Sequence, residues 1–267
     1  MKQLKRAPLI ARAVLPNAGV TQWYRRQLVA LLARLRATLP LALRRPEGAS
    51  DDKPVDPVQP TEIGRAINEW QRRALERLEH LPQSLAAGFL KRTREATERG
   101  MQSAFKDAGF TVAFEPTPKS LAAYAAVIES QVALIKSVPE QYLKDVQTSV
   151  WTAVQKGGDL HTLSSELADR YGVSTRRAAL IARTANAQAK GVIENVRRQE
   201  LGITQARWQH SSAGREPRPS HVAMNGKLFD LAKGMWDPDE GQWILPGQLP
   251  NCRCSSSAVI PGFDEGD

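Results

Sequence analysis

Apolar residues recur at helical spacing along most of the chain, and the breaks between such runs divide it into segments. From Thr21, Leu28, Leu31, Leu32, Leu35 and Leu39 fall on one face, Arg25, Arg26, Arg34 and Arg36 lie between them, and Pro40 closes the pattern. This predicts an amphipathic basic helix. Thr61 can cap a second helix carrying Ile63, Ile67, Trp70, Ala74, Leu75 and Leu78 as far as Pro82, and a third runs from about Ser84 to Ala108, ended by Gly109. Phe110 to Phe114 alternates bulky and small residues, which predicts a short strand or an extended connector.

Helical periodicity resumes from Lys119 to about Lys136, and again from Pro139, a good first-turn proline, to about Gln155, where Gly157 and Gly158 stop it. Asp159 can cap a short helix through Leu163, Leu167 and Ala168. A turn at Tyr171 and Gly172 then leads to a long helix capped by Ser174 and ending near Arg198. After Gly202 the pattern changes to turn formers around Trp208, Phe229, Trp236, Trp243 and Phe263, the signature of a small, irregular module. The fold class expected is α+β: a mainly helical N-terminal and central body with a small β-containing C-terminal domain. The divisions are 1–46, a basic amphipathic arm; 47–60, a Pro- and Asp-rich linker; 61–200, the helical body; and 201–267, the C-terminal module.

Composition adds two exclusions. No stretch approaches 18 to 20 uninterrupted apolar residues, since the most apolar run, Leu28 to Leu43, is broken by Arg34, Arg36 and Pro40; this argues against a membrane-spanning protein. Cys252 and Cys254 stand one residue apart, where a mutual disulfide would be strained and close almost no loop, which argues against a disulfide-stapled scaffold.

The net charge of +9 is concentrated at one end. Lys2, Lys5, Arg6, Arg12, Arg25, Arg26, Arg34, Arg36, Arg44 and Arg45 precede the first acidic residue, and the rest of the chain is close to neutral. Such an arm has three physical readings: attraction to phosphate or an acidic protein surface, a cleavable organellar presequence, or a solvated helix with no specific partner.

Three constellations carry candidate chemistry. His210, His221, Cys252 and Cys254, spaced H-x10-H-x30-C-x-C, are the ligand types of a closed tetrahedral zinc site, although the pairs lack the usual knuckle spacing. The alternative is two buried thiols and two hydrogen-bonded histidines. Arg215, Arg218, His221 and Asn225 could bind a phosphate and move a proton, as in an enzyme acting on nucleic acid or a nucleotide. Against that, Arg218 can equally serve a salt bridge or hold a loop carbonyl, and no nearby acidic pair is evident. Residues 166–183, with Arg176 and Arg177 opening the second helix, have helix-turn-helix spacing, though that helix is longer than recognition needs. Gly226 and Gly247 are read as turn positions needing positive φ.

The segment from Trp208 to Phe229, with its Arg218-Pro219-Ser220-His221 centre and Asn225-Gly226, followed by Pro246-Gly247 and Asn251-Cys252-Arg253-Cys254, resembles the phage head morphogenesis family, the Mu F-type minor head proteins of tailed phages and prophages. The resemblance extends upstream to Arg183-Thr184-Ala185-Asn186 and covers roughly residues 140–260. Two departures stand out: Ala213-Gly214 where many members carry an Asp, and Asn186 where Glu is usual.

The resemblance implies a structural rather than enzymatic protein of the virion, made in the bacterial host cytoplasm and placed near the portal vertex. Its partners would be the portal protein, other head proteins and packaged DNA through the basic arm, with no membrane and no small-molecule substrate. Its role would lie in head assembly and DNA packaging or ejection. It also marks His210, His221, Cys252 and Cys254 together as motif positions, which implies structural zinc.

Overall fold

The computed structural model describes residues 9–40, 60–156, 160–212 and 216–260. Five long helices come first: α1 Ala18–Ala37, α2 Pro60–Leu78, α3 Leu81–Asp107, α4 Pro118–Lys156 and α5 Leu160–Glu200. They lead into β1 Gln205–Gln209, the short α6 Pro219–Met224, β2 Leu228–Asp230, β3 Met235–Asp237, β4 Gln242–Ile244 and β5 Ser255–Ala258. The α+β expectation is met, helical throughout the body and stranded at the C-terminal end. Residues 110–114 are the extended connector, without a strand partner among the described residues.

Two of the predicted breaks are absent. The helices expected on either side of residues 137–138 form the single helix α4, which carries Pro139 in its interior. Likewise no turn interrupts α5 at Tyr171 and Gly172, so the helix-turn-helix reading of 166–183 is corrected: a continuous helix cannot present a separate recognition helix. A helical glycine costs only about 1 kcal/mol, and packing next to Gly172 outweighs it. The Tyr171 ring lies edge-on to Tyr142 at 6.2 Å and under the Arg36 guanidinium at 4.8 Å. Ser174, expected as a cap, is instead buried within the helix.

Helix α4 also corrects the location of the most apolar stretch. It, and not the run beginning at Leu28, is long and apolar enough by length and composition to cross a bilayer. Its buried residues, Ile135, Val138, Tyr142, Val146 and Val150 among them, recur three or four apart, the stripe of a core helix.

The chain forms two compact units. One comprises Trp23–Ala86 and Ser130–Ala182. Its core is built by the stripe of α1 (Tyr24, Leu28, Leu31, Leu32, Leu35), by Ile67, Trp70 and Ala74 of α2, and by the α4 residues just named. The predicted amphipathic helix is thus a packed element, and its arginines Arg25, Arg26, Arg34 and Arg36 line its exposed face. Trp70 donates its indole N–H to Thr38 Oγ1 (3.1 Å) just past the end of α1.

The other unit comprises Met1–Gln22, Ala87–Glu129 and Arg183–Asp267. Here β1 is the central strand of an antiparallel sheet ordered β2-β1-β5, with Ala206 opposite Phe229 on one side and Trp208 opposite Ser256 on the other. Residues before α1 extend the far edge: Ala11 N–H donates to the Ala258 carbonyl (3.0 Å), and Ile260 N–H to that of Leu9 (2.9 Å). Trp208, Ala206, Phe229, Met101, Phe105 and Ile203 form one apolar core beneath the sheet. Asn186 serves the start of α1, donating to the Asn17 carbonyl (2.9 Å) and Thr21 Oγ1 (2.8 Å), while Asn17 Oδ1 caps the Val20 N–H (3.1 Å).

Arg197 of α5 ties this unit together. It donates to Glu98 of α3 (Nε, 2.8 Å), to the Glu115 carbonyl (2.6 Å) and to Glu200 (2.8 Å). Burial pushes the Glu200 carboxyl up, but hydrogen bonds from Thr117 and Arg197 outweigh it and hold the group below its ordinary value of 4.5. A carboxyl lowered in the folded state contributes stability above the unfolded value and loses it as pH falls through the folded one. Wild type is therefore expected to lose melting temperature as pH drops below about 4.5. Glu200→Gln should be about 1–3 kcal/mol less stable at pH 7 and show a flatter acid limb. Identical acid limbs in thermal melts of the two proteins would contradict this account.

Candidate metal centre

The sheet brings residues distant in sequence to one point beside Trp208. His221 stands near the end of α6, a helix started by Pro219 at its first turn and preceded by Arg218 in extended conformation. Cys252 and Cys254 lie in the segment entering β5, and His210 immediately follows β1. His221 Nδ1 is 3.5 Å from Cys252 Sγ and 3.6 Å from Cys254 Sγ, and His210 Nδ1 is 3.7 Å from Cys254 Sγ. Metal–sulfur and metal–nitrogen bonds of about 2.3 and 2.0–2.1 Å at a tetrahedral angle separate the two donor types by about 3.5–3.6 Å, so this spacing fits such an ion. His221, Cys252 and Cys254 are buried, with their ligand atoms all within 4.8 Å of one another, and could hold a metal.

The surroundings suit anionic sulfur. Cys252 is held well below the ordinary thiol value, first by the hydrogen bond from Cys254, then by His221 and the backbone N–H of Gly247. Cys254 is pushed up, first because it keeps the proton donated to Cys252 and then by burial. One proton therefore serves two sulfurs, where a divalent cation would stabilise both as thiolates. The Ser211 N–H favours the Cys254 thiolate, as does the Trp208 indole, whose buried Nε1 has no partner at hydrogen-bond distance. Trp208 also packs edge-on against His221, with ring centroids 5.4 Å apart.

Asp237, at the end of β3, is a candidate site residue that the sequence reading missed. Fully buried, it lies 3.2 Å from His221 Nε2 and accepts the Asp239 N–H (3.0 Å). Burial pushes its carboxyl up, but hydrogen bonds and the adjacent His221 hold it below the ordinary range. A carboxylate on Nε2 fixes the tautomer that leaves Nδ1 facing the sulfurs, the arrangement that orients histidine ligands in metal sites. His221 itself is raised, first by its hydrogen bond to Cys252.

The residues of the enzyme reading make the following contacts. Both ring nitrogens of His221 are engaged, by Asp237 and by the sulfurs. Arg218 Nη2 donates to the Pro250 carbonyl (3.2 Å) and its Nε lies 3.8 Å from Glu240, while Asn225 Oδ1 accepts the His210 backbone N–H (3.0 Å). Arg215 lies outside the described residues. Gly226 and Gly247 take the expected positive φ, 78° and 84°, and at Gly247 a Cβ would sit 3.3 Å from the Ala187 carbonyl oxygen.

Of the basic arm, Lys2, Lys5, Arg6, Arg44 and Arg45 lie outside the described residues. Arg12 pairs with Asp107 (2.7 Å) and Ser103 (2.7 Å).

Fold and site together define a helical protein that carries a compact histidine- and cysteine-lined module. The family model for phage Mu protein F like protein matches residues 144–257, which hold all four candidate ligands. An uncharacterized protein of Haemophilus influenzae is 24% identical over 249 residues, covering 91% of this chain and 54% of its own length. The chain thus spans about half the length of that relative. No solved structure matches this chain.

Proposed function

We propose that the chain is a minor head protein of a tailed phage or prophage, seated near the portal vertex and acting in head assembly and in DNA packaging or ejection. The observation that carries this reading is the family match over residues 144–257, which covers most of the module with its clustered histidine and cysteines. That family supports a phage head morphogenesis protein with a structural rather than enzymatic role. Its partners are then other head proteins, the portal among them, and its place is the virion.

In this reading the ion is zinc, with His221, Cys252, Cys254 and His210 as its ligands, and it cross-links β1, α6 and the segment before β5. Bound there, zinc would add cohesion among these three segments. Packaged DNA is met through phosphates by the exposed arginines of α1 and the other basic residues of the first 46, without reading sequence and with affinity that falls as salt rises.

Mass spectrometry of particles purified from an induced lysogen carrying the gene tests the proposal. The expected result is a few copies per particle, retained in heads separated from tails. Intact, infectious particles lacking the chain would overturn it.

A further inference from the structure

Helices α1 and α5 meet at two levels. At the start of α1, Asn186 of α5 donates to the Asn17 carbonyl (2.9 Å) and to Thr21 Oγ1 (2.8 Å). Near its end, the Arg36 guanidinium lies 4.8 Å from the centre of the Tyr171 ring. The contacts run from 21 to 36 on one helix and from 186 to 171 on the other, so α1 and α5 are antiparallel neighbours. The parts that carry the inference, residues 23–37 and 160–182, lie in one compact unit.

That alignment orders the arginines. At 3.6 residues per turn, Arg25 follows Thr21 by one turn and stands on the α5 side of α1, as Arg36 does. On α5, Arg176 points away from the buried stripe of Ser174, Ala178 and Ala182, on the side of Asn186 and hence of α1. A Cβ at Gly172 would lie 3.5 Å from Arg176 Nη1, next to the Tyr171 that seats Arg36. All three arginines are exposed. Taking the level of Arg36 as origin, Arg176 comes about 7 Å and Arg25 about 16 Å further along the pair at 1.5 Å per residue. Among the described residues no hydrogen bond or ion pair engages Arg25 or Arg176. The acids of this part of α5, Glu166 and Asp169, fall beyond the Arg36 end of the row.

We propose that Arg36, Arg176 and Arg25 form a row that binds the phosphate backbone of double-stranded DNA without reading its sequence. This rests on the reading that the chain meets DNA, and adds α5 to the surface that does so. Charges repeated along a line match a backbone that carries charge at fixed intervals, and each guanidinium fork can take two oxygens of one phosphate. Arg176 opens the stretch whose helix-turn-helix spacing the unbroken α5 overrules, so its contact is with phosphate and not with base edges.

The test is fluorescence anisotropy of the full-length protein with labelled short duplexes of two unrelated sequences, over a series of sodium chloride concentrations. Wild type is expected to bind both alike, with log K falling linearly in log salt. Each of Arg25→Gln, Arg36→Gln and Arg176→Gln should lower that slope by about 0.9, and the triple variant by about 2.7, with melting temperature nearly unchanged. The three changed to Lys together should keep the slope, because charge is retained. Arg99→Gln, at an exposed arginine of α3 in the other unit, should leave it unaltered. No binding by wild type, an undiminished slope in the triple Gln variant, or an equal drop in Arg99→Gln would overturn the proposal. So would competition by poly-L-glutamate as effective, charge for charge, as unlabelled duplex, since the surface would then suit an acidic protein equally. Failure here with the chain present in purified particles leaves the head-protein reading standing, and absence from particles leaves this titration unaffected.

Discussion

Purified protein is expected to carry about one zinc per chain, and Cys252→Ser with Cys254→Ser to lose both the metal and the folded C-terminal module. Structural zinc in small domains contributes an apparent ~10–16 kcal/mol near neutral pH, comparable to the whole stability of an ordinary domain. The loss should therefore be large, visible as collapse of the near-UV signal of Trp208 and as protease sensitivity after residue 200. Without a metal, the double variant would only exchange two buried thiols for hydroxyls and disturb one sulfur–sulfur hydrogen bond, a change of a few kcal/mol.

Asp237→Asn separates the two accounts further. Loss of the carboxylate on His221 Nε2 should lower zinc affinity by about 10- to 100-fold while the module still folds at saturating zinc. Elemental analysis of wild type purified without chelators is the deciding measurement. A folded module with no bound metal would return His210 and His221 to the role of hydrogen-bonded histidines.

The second large effect is expected at a buried charge cluster on α5. Lys190, Glu194 and Arg198 stand one turn apart and are 5%, 3% and 3% exposed, with Glu194 bonded to both cations. Arg198 is also held by Ser256 of β5, through Oγ (2.7 Å) and the carbonyl (2.9 Å), although burial still pushes its guanidinium below the ordinary range. Among the described residues no second acid is bonded to Lys190, and burial pushes its ammonium below the ordinary range.

Glu194→Gln leaves two cations buried without a counter-charge and should cost about 3–5 kcal/mol. Lys190→Met should be neutral or stabilising, since it removes the excess charge and leaves the Glu194–Arg198 pair intact. The sign follows from linkage: a lysine whose folded value lies below its unfolded one costs stability while charged, a cost relieved as pH rises from the folded value toward about 10.4. Urea unfolding of the two variants checks the pair of expectations, and similar losses in both would refute the argument.

How far the sequence could be read depended on the range of the interactions involved. Helix existence was legible because a leucine stripe at three- and four-residue spacing is a local property of the chain. The boundaries at 137–138 and at Tyr171–Gly172 were not, because Pro139 and Gly172 favour a break locally while packing around Tyr142 and Tyr171 joins the segments.

The four candidate ligands could be named from residue type, since two histidines and two cysteines near a small aromatic module leave few alternatives. Asp237 could not, because nothing in a stretch holding Asp237, Asp239 and Glu240 says which acid meets His221. The burial of Lys190, Glu194 and Arg198 was equally hidden, for spaced charges on a helix usually mark its solvent face.

By itself, then, the sequence determined the helical body, the stranded C-terminal module, the charge asymmetry and the residue types of the candidate metal centre. These follow from periodicity, composition and ligand chemistry, which act along the chain. Tertiary structure alone decided that His221 turns one nitrogen to Asp237 and the other to two sulfurs. It alone decided that a lysine lies buried on α5. Those outcomes depend on antiparallel pairing of β1 with strands from opposite ends of the module, a contact between distant residues that no local pattern encodes.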